Sequence, residues 1–265
     1  MKKKIALMLA MVIMVVTLAG CTSNSETLSV VDSIKSKGKI ILGTAADYPP
    51  YEFHKEIDGK DEIVGFDIEI AKEIAKELGV ELEIVDMKFE GLLPALVTND
   101  IDFIIAGMVA NEDRKEKIDF SIPYYQAQQR MIVKLSDADT LKMPEDFSGL
   151  KVGAQKSSIQ ENIALEKFST AEYIGLSKIT DLVLELKSDK IQGVILVEPV
   201  AKAYVNQNDD LYLVDEVLGQ EDGVAVAVNK GNEDLVLVIN QVLEKLISEG
   251  KIDQFIADAT ALSEE

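Results

Sequence analysis

The sequence predicts an α/β protein of two lobes joined by two crossing strands. Three observations carry that prediction. Residues 39–109 alternate apolar runs with amphipathic stretches in the order strand, helix, strand, the order that parallel pairing requires. A second series of the same construction starts at Gly149. "QAQQRMIVKL" (126–135) and "EDGVAVAVNKG" (221–231) each pass from a polar loop into an apolar strand, as two passages between lobes would.

In "KIILGTAADYPPYEF" (39–53) a continuous apolar run predicts a buried strand, and Pro49 and Pro50 end it in a loop. "GFDIEIAKEIAKELG" (65–79) sets Ile70, Ile74 and Leu78, with Ala71 and Ala75, on one helical face, and Gly79 stands where a C-terminal cap belongs. "VELEIVDM" (80–87) alternates as a strand does. "FEGLLPALVTND" (89–100) predicts a helix, "IDFIIAGMV" (101–109) a buried strand, and "NEDRKEKI" (111–118) a short helix. "FHKEIDGKDE" (53–62), which holds the one histidine, His54, predicts a solvated hairpin.

The second series runs through strand "LKVGAQ" (150–155), helices "SIQENIALEKF" (158–168) and "KITDLVLELKSDK" (178–190), strand "IQGVILV" (191–197) and helix "PVAKAYVNQN" (199–208). Closing helices at 233–250 and 251–262 would return to the first lobe. These boundaries give lobe 1 at 35–127, lobe 2 at 128–220 and a return to lobe 1 at 221–265.

The first residues are of another kind. Lys2, Lys3 and Lys4 precede an uncharged run from Ile5 to Ala19, shorter than the roughly 20 residues a membrane span needs. This is an export signal covering 1–20. "LAGC" (18–21) resembles the lipobox of bacterial lipoproteins, which implies cleavage before Cys21 and acylation of that residue, palmitate included. Residues 21–34, beginning "CTSNSET", would then tether the lobes to the outer face of the cell membrane. The alternative is a soluble exported protein with an incidental cysteine. Cys21 is the only cysteine, so no intrachain disulfide forms.

Without its three signal lysines the chain sets 24 basic residues against 47 acidic ones, a formal charge of −23. Such a surface repels nucleic acid, which is set aside as a partner. No metal cluster, serine triad or phosphate loop is visible, and no cofactor is implied.

Six blocks in one order carry a resemblance: "GTAADYPPYEF", "GFDIEIAKEIAKELG", "FEGLLPALVTNDIDFIIAGM", "NEDRKEKIDFSIPYY", "LKVGAQKSSIQE" and "VILVEPVAKAY". Over residues 35–260 the chain resembles the amino-acid-binding family of extracellular solute-binding proteins, family 3, that feed bacterial ABC importers. The resemblance implies the type II periplasmic-binding fold. It implies a monomer whose lobes close on a free amino acid and deliver it to the transmembrane subunits of a permease.

It also implies a site. Arg114, one of two arginines among 27 basic residues, matches the arginine that clamps the ligand's α-carboxylate. A planar fork of donors fits two carboxylate oxygens where an ammonium fits one point. Asn111 is a good N-cap ahead of it. From the other lobe, Ser157 and Ser158 would add hydroxyls, and Ser158 and Ile159 backbone N–H groups, to the same carboxylate, with Gln160 nearby. Glu198 matches the acid that holds the α-ammonium, helped by the Gly107 carbonyl beside Met108. Tyr48 and Phe89 match two aromatic residues flanking the ligand's side chain.

Each residue also has a plainer role: a surface ion pair for Arg114, a helix cap for the serines, a solvated strand end for Glu198, core packing for Phe89. Two positions depart from the family pattern. Val109 stands where a hydroxyl residue is common, and Ala45 where several members have an aspartate, with Asp47 two residues on. Asp47, Glu198 and the acidic surface favour a basic ligand, arginine or lysine, within the wider class of polar amino acids. The alternatives are a dehydratase-like enzyme on the same fold, with Glu198 as its acid, a sensor domain, and a binder of some other metabolite.

Overall fold

A computed structural model describes residues 29–220 and 222–264. The expected signal peptide, Cys21 and the tether up to residue 28 lie outside the described residues.

From Ser29 the chain runs α1 (Val30–Lys37), β1 (Lys39–Thr44), β2 (Asp47–Tyr48), β3 (Glu52–Ile57), β4 (Lys60–Val64), α2 (Phe66–Leu78), β5 (Glu81–Asp86), α3 (Phe89–Val97), β6 (Phe103–Ile104), α4 (Glu112–Lys115) and β7 (Ile118–Tyr125). It continues through β8 (Gln128–Lys134), β9 (Lys151–Gln155), α5 (Ile159–Lys167), β10 (Glu172–Leu176), α6 (Ile179–Lys187), β11 (Gly193–Val197), α7 (Glu198–Asn206), β12 (Leu211–Leu213) and β13 (Gly219–Gln220). It ends with β14 (Val224–Asn229), α8 (Glu233–Ser248) and α9 (Lys251–Glu264).

These strands form two α/β sheets and a hairpin. The first sheet has the order β5-β1-β6-β14-β7 and the second β10-β9-β11-β8-β12, with β13 also on β8. The chain leaves the first sheet after Tyr125, enters the second at Gln128, and is back in the first at Val224. The architecture is thus two-lobed with two crossings. The antiparallel sheet β2-β3-β4 turns through Asp58 and Gly59, both at positive φ (52° and 75°), the geometry that an Asp-Gly hairpin favours.

In both sheets one parallel strand has its sequence neighbours on opposite sides. β1 lies between β5 and β6, and β9 between β10 and β11. The loops leaving such a strand diverge and open a crevice at its C-terminal end, where α/β sheets bind their ligands. Here the two crevices face each other.

The helical faces behave as their periodicity predicts. Ile70, Ile74 and Leu78 of α2 are buried in one cluster with Leu235, Ile239 and Leu243 of α8. Burying one such side chain stabilises by about 1.5–3 kcal/mol. Gly79 closes α2 in the left-handed conformation.

Three local expectations are corrected. Val30–Lys37 is helical, although the sequence reading places residues up to 34 in a tether. Ser29 caps it through Asp32 N, and Val31 and Ile34 pack inward. The strand expected over 101–109 is confined to Phe103–Ile104, because side chains take over its later backbone groups. Thr44 Oγ1 donates to Ile105 O at 2.8 Å, and Gly107 N donates to Asp67 Oδ2 at 2.9 Å. The helix expected over 111–118 keeps one turn, Glu112–Lys115.

Candidate functional site

The loops after β1, β6 and β9 meet between the lobes. Asp47, Tyr48, Phe89, Gly107, Val109, Arg114, Ser158, Ile159 and Gln160 line one pocket there, joined by Ala45, Glu52, Ala106 and Gln155. Its volume is ≈ 20 Å³, room for about one water molecule, so the lobes as placed are closed.

Arg114 is held from both sides. Asn111 caps its turn, with Oδ1 accepting from Arg114 N at 3.0 Å. Nη1 donates to Val109 O at 2.8 Å within the first lobe, and Nη2 to Ser157 O at 2.9 Å in the second. The guanidinium carbon lies 5.4 Å from the centre of the Phe89 ring, a cation–π contact. The side chain is 9% exposed, which excludes the plain surface ion pair. A planar cation is therefore fixed in the wall of a pocket where an anionic group would meet it.

The second lobe presents the start of α5. Ser158 spends its hydroxyl on the cap: Oγ accepts from Glu161 N at 3.3 Å and donates to Gln155 O at 2.7 Å. The amides of Ile159 and Gln160 occupy the first turn, where helical N–H groups lack intrahelical acceptors. Gln160 Nε2 crosses the cleft to Tyr48 Oη at 3.2 Å and also reaches Gln129 Oε1 at 2.8 Å.

Gly107 has φ +53°, and a Cβ there would stand 3.1 Å from the Tyr48 ring. Only glycine allows this backbone and this aromatic face to approach so closely.

Carboxylates make up the remaining wall. Asp47 Oδ2 accepts from Ile179 N at 2.6 Å, so a first-lobe side chain caps a second-lobe helix whose own N-cap, Lys178, makes no capping bond. Burial pushes Asp47 up to about 6, against the pull of that N–H. Glu52 is 1% exposed, and no donor reaches either of its oxygens. Burial and then the neighbouring Asp67 carboxylate push it well above the usual range. Asp67 is raised to about 6 by burial, although Gly107 N and the Tyr124 hydroxyl both donate to it. A bond between Glu52 and Asp67 exists only when one carries a proton.

Three expected site residues lie outside the lining of this pocket. Glu198 opens α7 and pairs through Oε1 with Lys202 Nζ at 2.7 Å and Arg130 Nη1 at 3.8 Å. It lines a separate groove beside the first crossing. Val197 ends the strand, and the one-residue step into the helix turns Glu198 away from the pocket. Met108 is buried in a cluster with Leu92, Ile104 and Ile118. Ser157 takes a left-handed φ of 63°, which offers its carbonyl to Arg114 and leaves its side chain outside the pocket.

Glu52 and Gln155 were missed. The signal for Glu52 is a carboxylate set between Tyr51 and Phe53, two residues after Pro50, in a segment read only as a loop. Gln155 gives no sequence signal beyond its place at a strand end.

A family model described as bacterial extracellular solute-binding proteins, family 3, matches residues 40–258. The arginine-binding extracellular protein ArtP of Bacillus subtilis (strain 168) is 36% identical over 261 residues, 96% of each chain. Among solved structures, the amino acid ABC transporter substrate-binding protein AbpA from Streptococcus pneumoniae Canada MDR_19A, bound to L-arginine, matches with a TM-score of 0.83 and 39% identity, over 88% of this chain and 99% of that one. Holo ArgBP from T. maritima matches with a TM-score of 0.76 and 42% identity, over 81% and 93%. The order of the blocks, the paired sheets and the pocket between them agree with these matches: the chain belongs to the bacterial extracellular solute-binding proteins, family 3.

Proposed function

We propose that the chain is the binding component of an ABC importer for a basic amino acid, with L-arginine as the first candidate. The observation that carries this reading is a buried arginine and buried carboxylates on the walls of one inter-lobe pocket. Arg114 and the first amides of α5 suit an α-carboxylate, Tyr48 and Phe89 an extended side chain, and the acid wall a cation. The relatives named for arginine favour that ligand over lysine.

The ligand binds without being converted. The enzymatic alternative rests on Glu198 as an acid, and that residue is paired outside the pocket. Segments 35–127 and 221–265 form one lobe and 128–220 the other. They part about the passages at 126–127 and 222–223 to admit the ligand, and the closed form docks on the permease. The mature protein is a monomer held by a lipid on Cys21 at the outer face of the membrane, with residues 1–20 removed.

The test is calorimetry of the purified protein with the common amino acids. L-Arginine should bind at micromolar concentration or below, raise the melting temperature, and be recovered unchanged. Failure of every amino acid to bind would overturn the proposal, and mass spectrometry of protein from its native membrane checks the acyl group on Cys21.

A further inference from the structure

Resting on that reading, we infer that Glu52 is the counter-ion of the bound amino acid's α-ammonium group. Four observations lead to it. Glu52 faces the pocket, is 1% exposed, and has no donor at either oxygen. A carboxyl group buried in that way is costly unless a donor or cation meets it. The acid expected for this task, Glu198, is spent on Lys202 in another groove. The pocket's other carboxylate, Asp47, already holds Ile179 N.

The fourth observation is position. The carboxylate and ammonium of an amino acid sit on one carbon, so their counter-ions must converge. Arg114 is fixed to the carbonyl of Val109, while Glu52 sits beside Asp67, which holds the amide of Gly107. Those two groups belong to residues two apart, whose Cα atoms lie at most about 7 Å from each other.

A proton accompanies the event. The groups facing Glu52 are Asp67 on α2 with Tyr124 of β7 behind it, Asp47 and Tyr48 on β2, Asp86 at the end of β5, and Arg114 across the pocket. Acids predominate, and burial together with Asp67 favours the protonated form of Glu52. An arriving ammonium stabilises the carboxylate, and the proton leaves to solvent.

The experiment is calorimetry at pH 6.5 in two buffers of different ionisation heat, with L-arginine and with 5-guanidinopentanoate, which lacks the α-amino group. Wild type should release protons as L-arginine binds. Glu52→Gln should weaken L-arginine at least tenfold, release fewer protons, and change the affinity for 5-guanidinopentanoate less than twofold. Unchanged L-arginine affinity in Glu52→Gln, or an equal loss for both ligands, overturns the assignment. Should the variant not fold, wild type decides alone: L-arginine binding that releases no proton between pH 5.5 and 7.5 also overturns it. Wild type binding no amino acid at all is a different result and sinks the transport proposal instead.

Discussion

Asp47 of the first lobe caps the helix that begins at Ile179 in the second, its Oδ2 lying 2.6 Å from the Ile179 amide nitrogen. Gln160 to Tyr48 and Ser177 to Glu90 cross the same cleft, at 3.2 and 2.5 Å. The bond from Asp47 exists only when the lobes are closed, so it adds to the closed form alone. A helix cap contributes about 0.5–2 kcal/mol. Asp47→Ala should therefore weaken ligand binding about three- to thirtyfold and raise the radius of gyration of the ligand-free protein. Small-angle scattering without ligand separates this effect from any direct contact: an unchanged radius would mean that the cap does not govern closure.

Arg114 donates to one carbonyl in each lobe. Arg114→Ala removes both bonds and a buried positive charge, and should reduce affinity by about 2–5 kcal/mol, a loss of roughly thirtyfold or more in calorimetry. Arg114→Lys keeps the charge without the fork and should recover only part of it. Full recovery by lysine would show that charge, not planarity, is what the site uses.

Ligand-free stability should fall as pH rises from about 4 to 7. Asp67, buried within the first lobe whether or not the lobes close, is raised to about 6 from an ordinary 3.8, so in that window the folded protein keeps a proton that the unfolded chain has released. Glu52 acts in the same direction. Melting temperatures of the ligand-free protein should drop by several degrees between pH 4.5 and 7. A rise across that range would contradict the buried acid cluster.

Glu198→Gln should leave ligand affinity within about twofold. Its near partner is Lys202, one helical turn away and more than half in solvent, and a pair of that kind contributes little; Arg130 is farther off, at 3.8 Å. A tenfold loss would return Glu198 to the site.

What the sequence made legible was whatever depends on local chemistry. The helix around Ile70 and Ile74, the Asn111 and Ser158 caps and the Asp58-Gly59 turn each follow from neighbours within a few residues, and each stands where it was expected. Arg114 was legible because arginine is rare here and placed where lysine would serve a surface equally well. The acids were not legible. Whether Glu198 faces the cleft depends on where β11 ends relative to α7, a matter of one residue, and the burial of Glu52 beside Asp67 of α2 is a contact between residues 15 apart that no local pattern announces. The early end of β6 was not legible either, because the Ile105 carbonyl and the Gly107 amide bond to Thr44 and Asp67, distant in sequence.

The place of β14 has a consequence for how the protein is made. It lies inside the first sheet, between β6 and β7, yet it is the last strand in the chain. A ribosome that has released residues up to 125 has therefore delivered a sheet with a gap in it, and the gap stays open until the whole second lobe has followed. Such distant pairing is slow to form. A nascent chain that cannot finish its first lobe stays threadable for longer, which would suit the export proposed above.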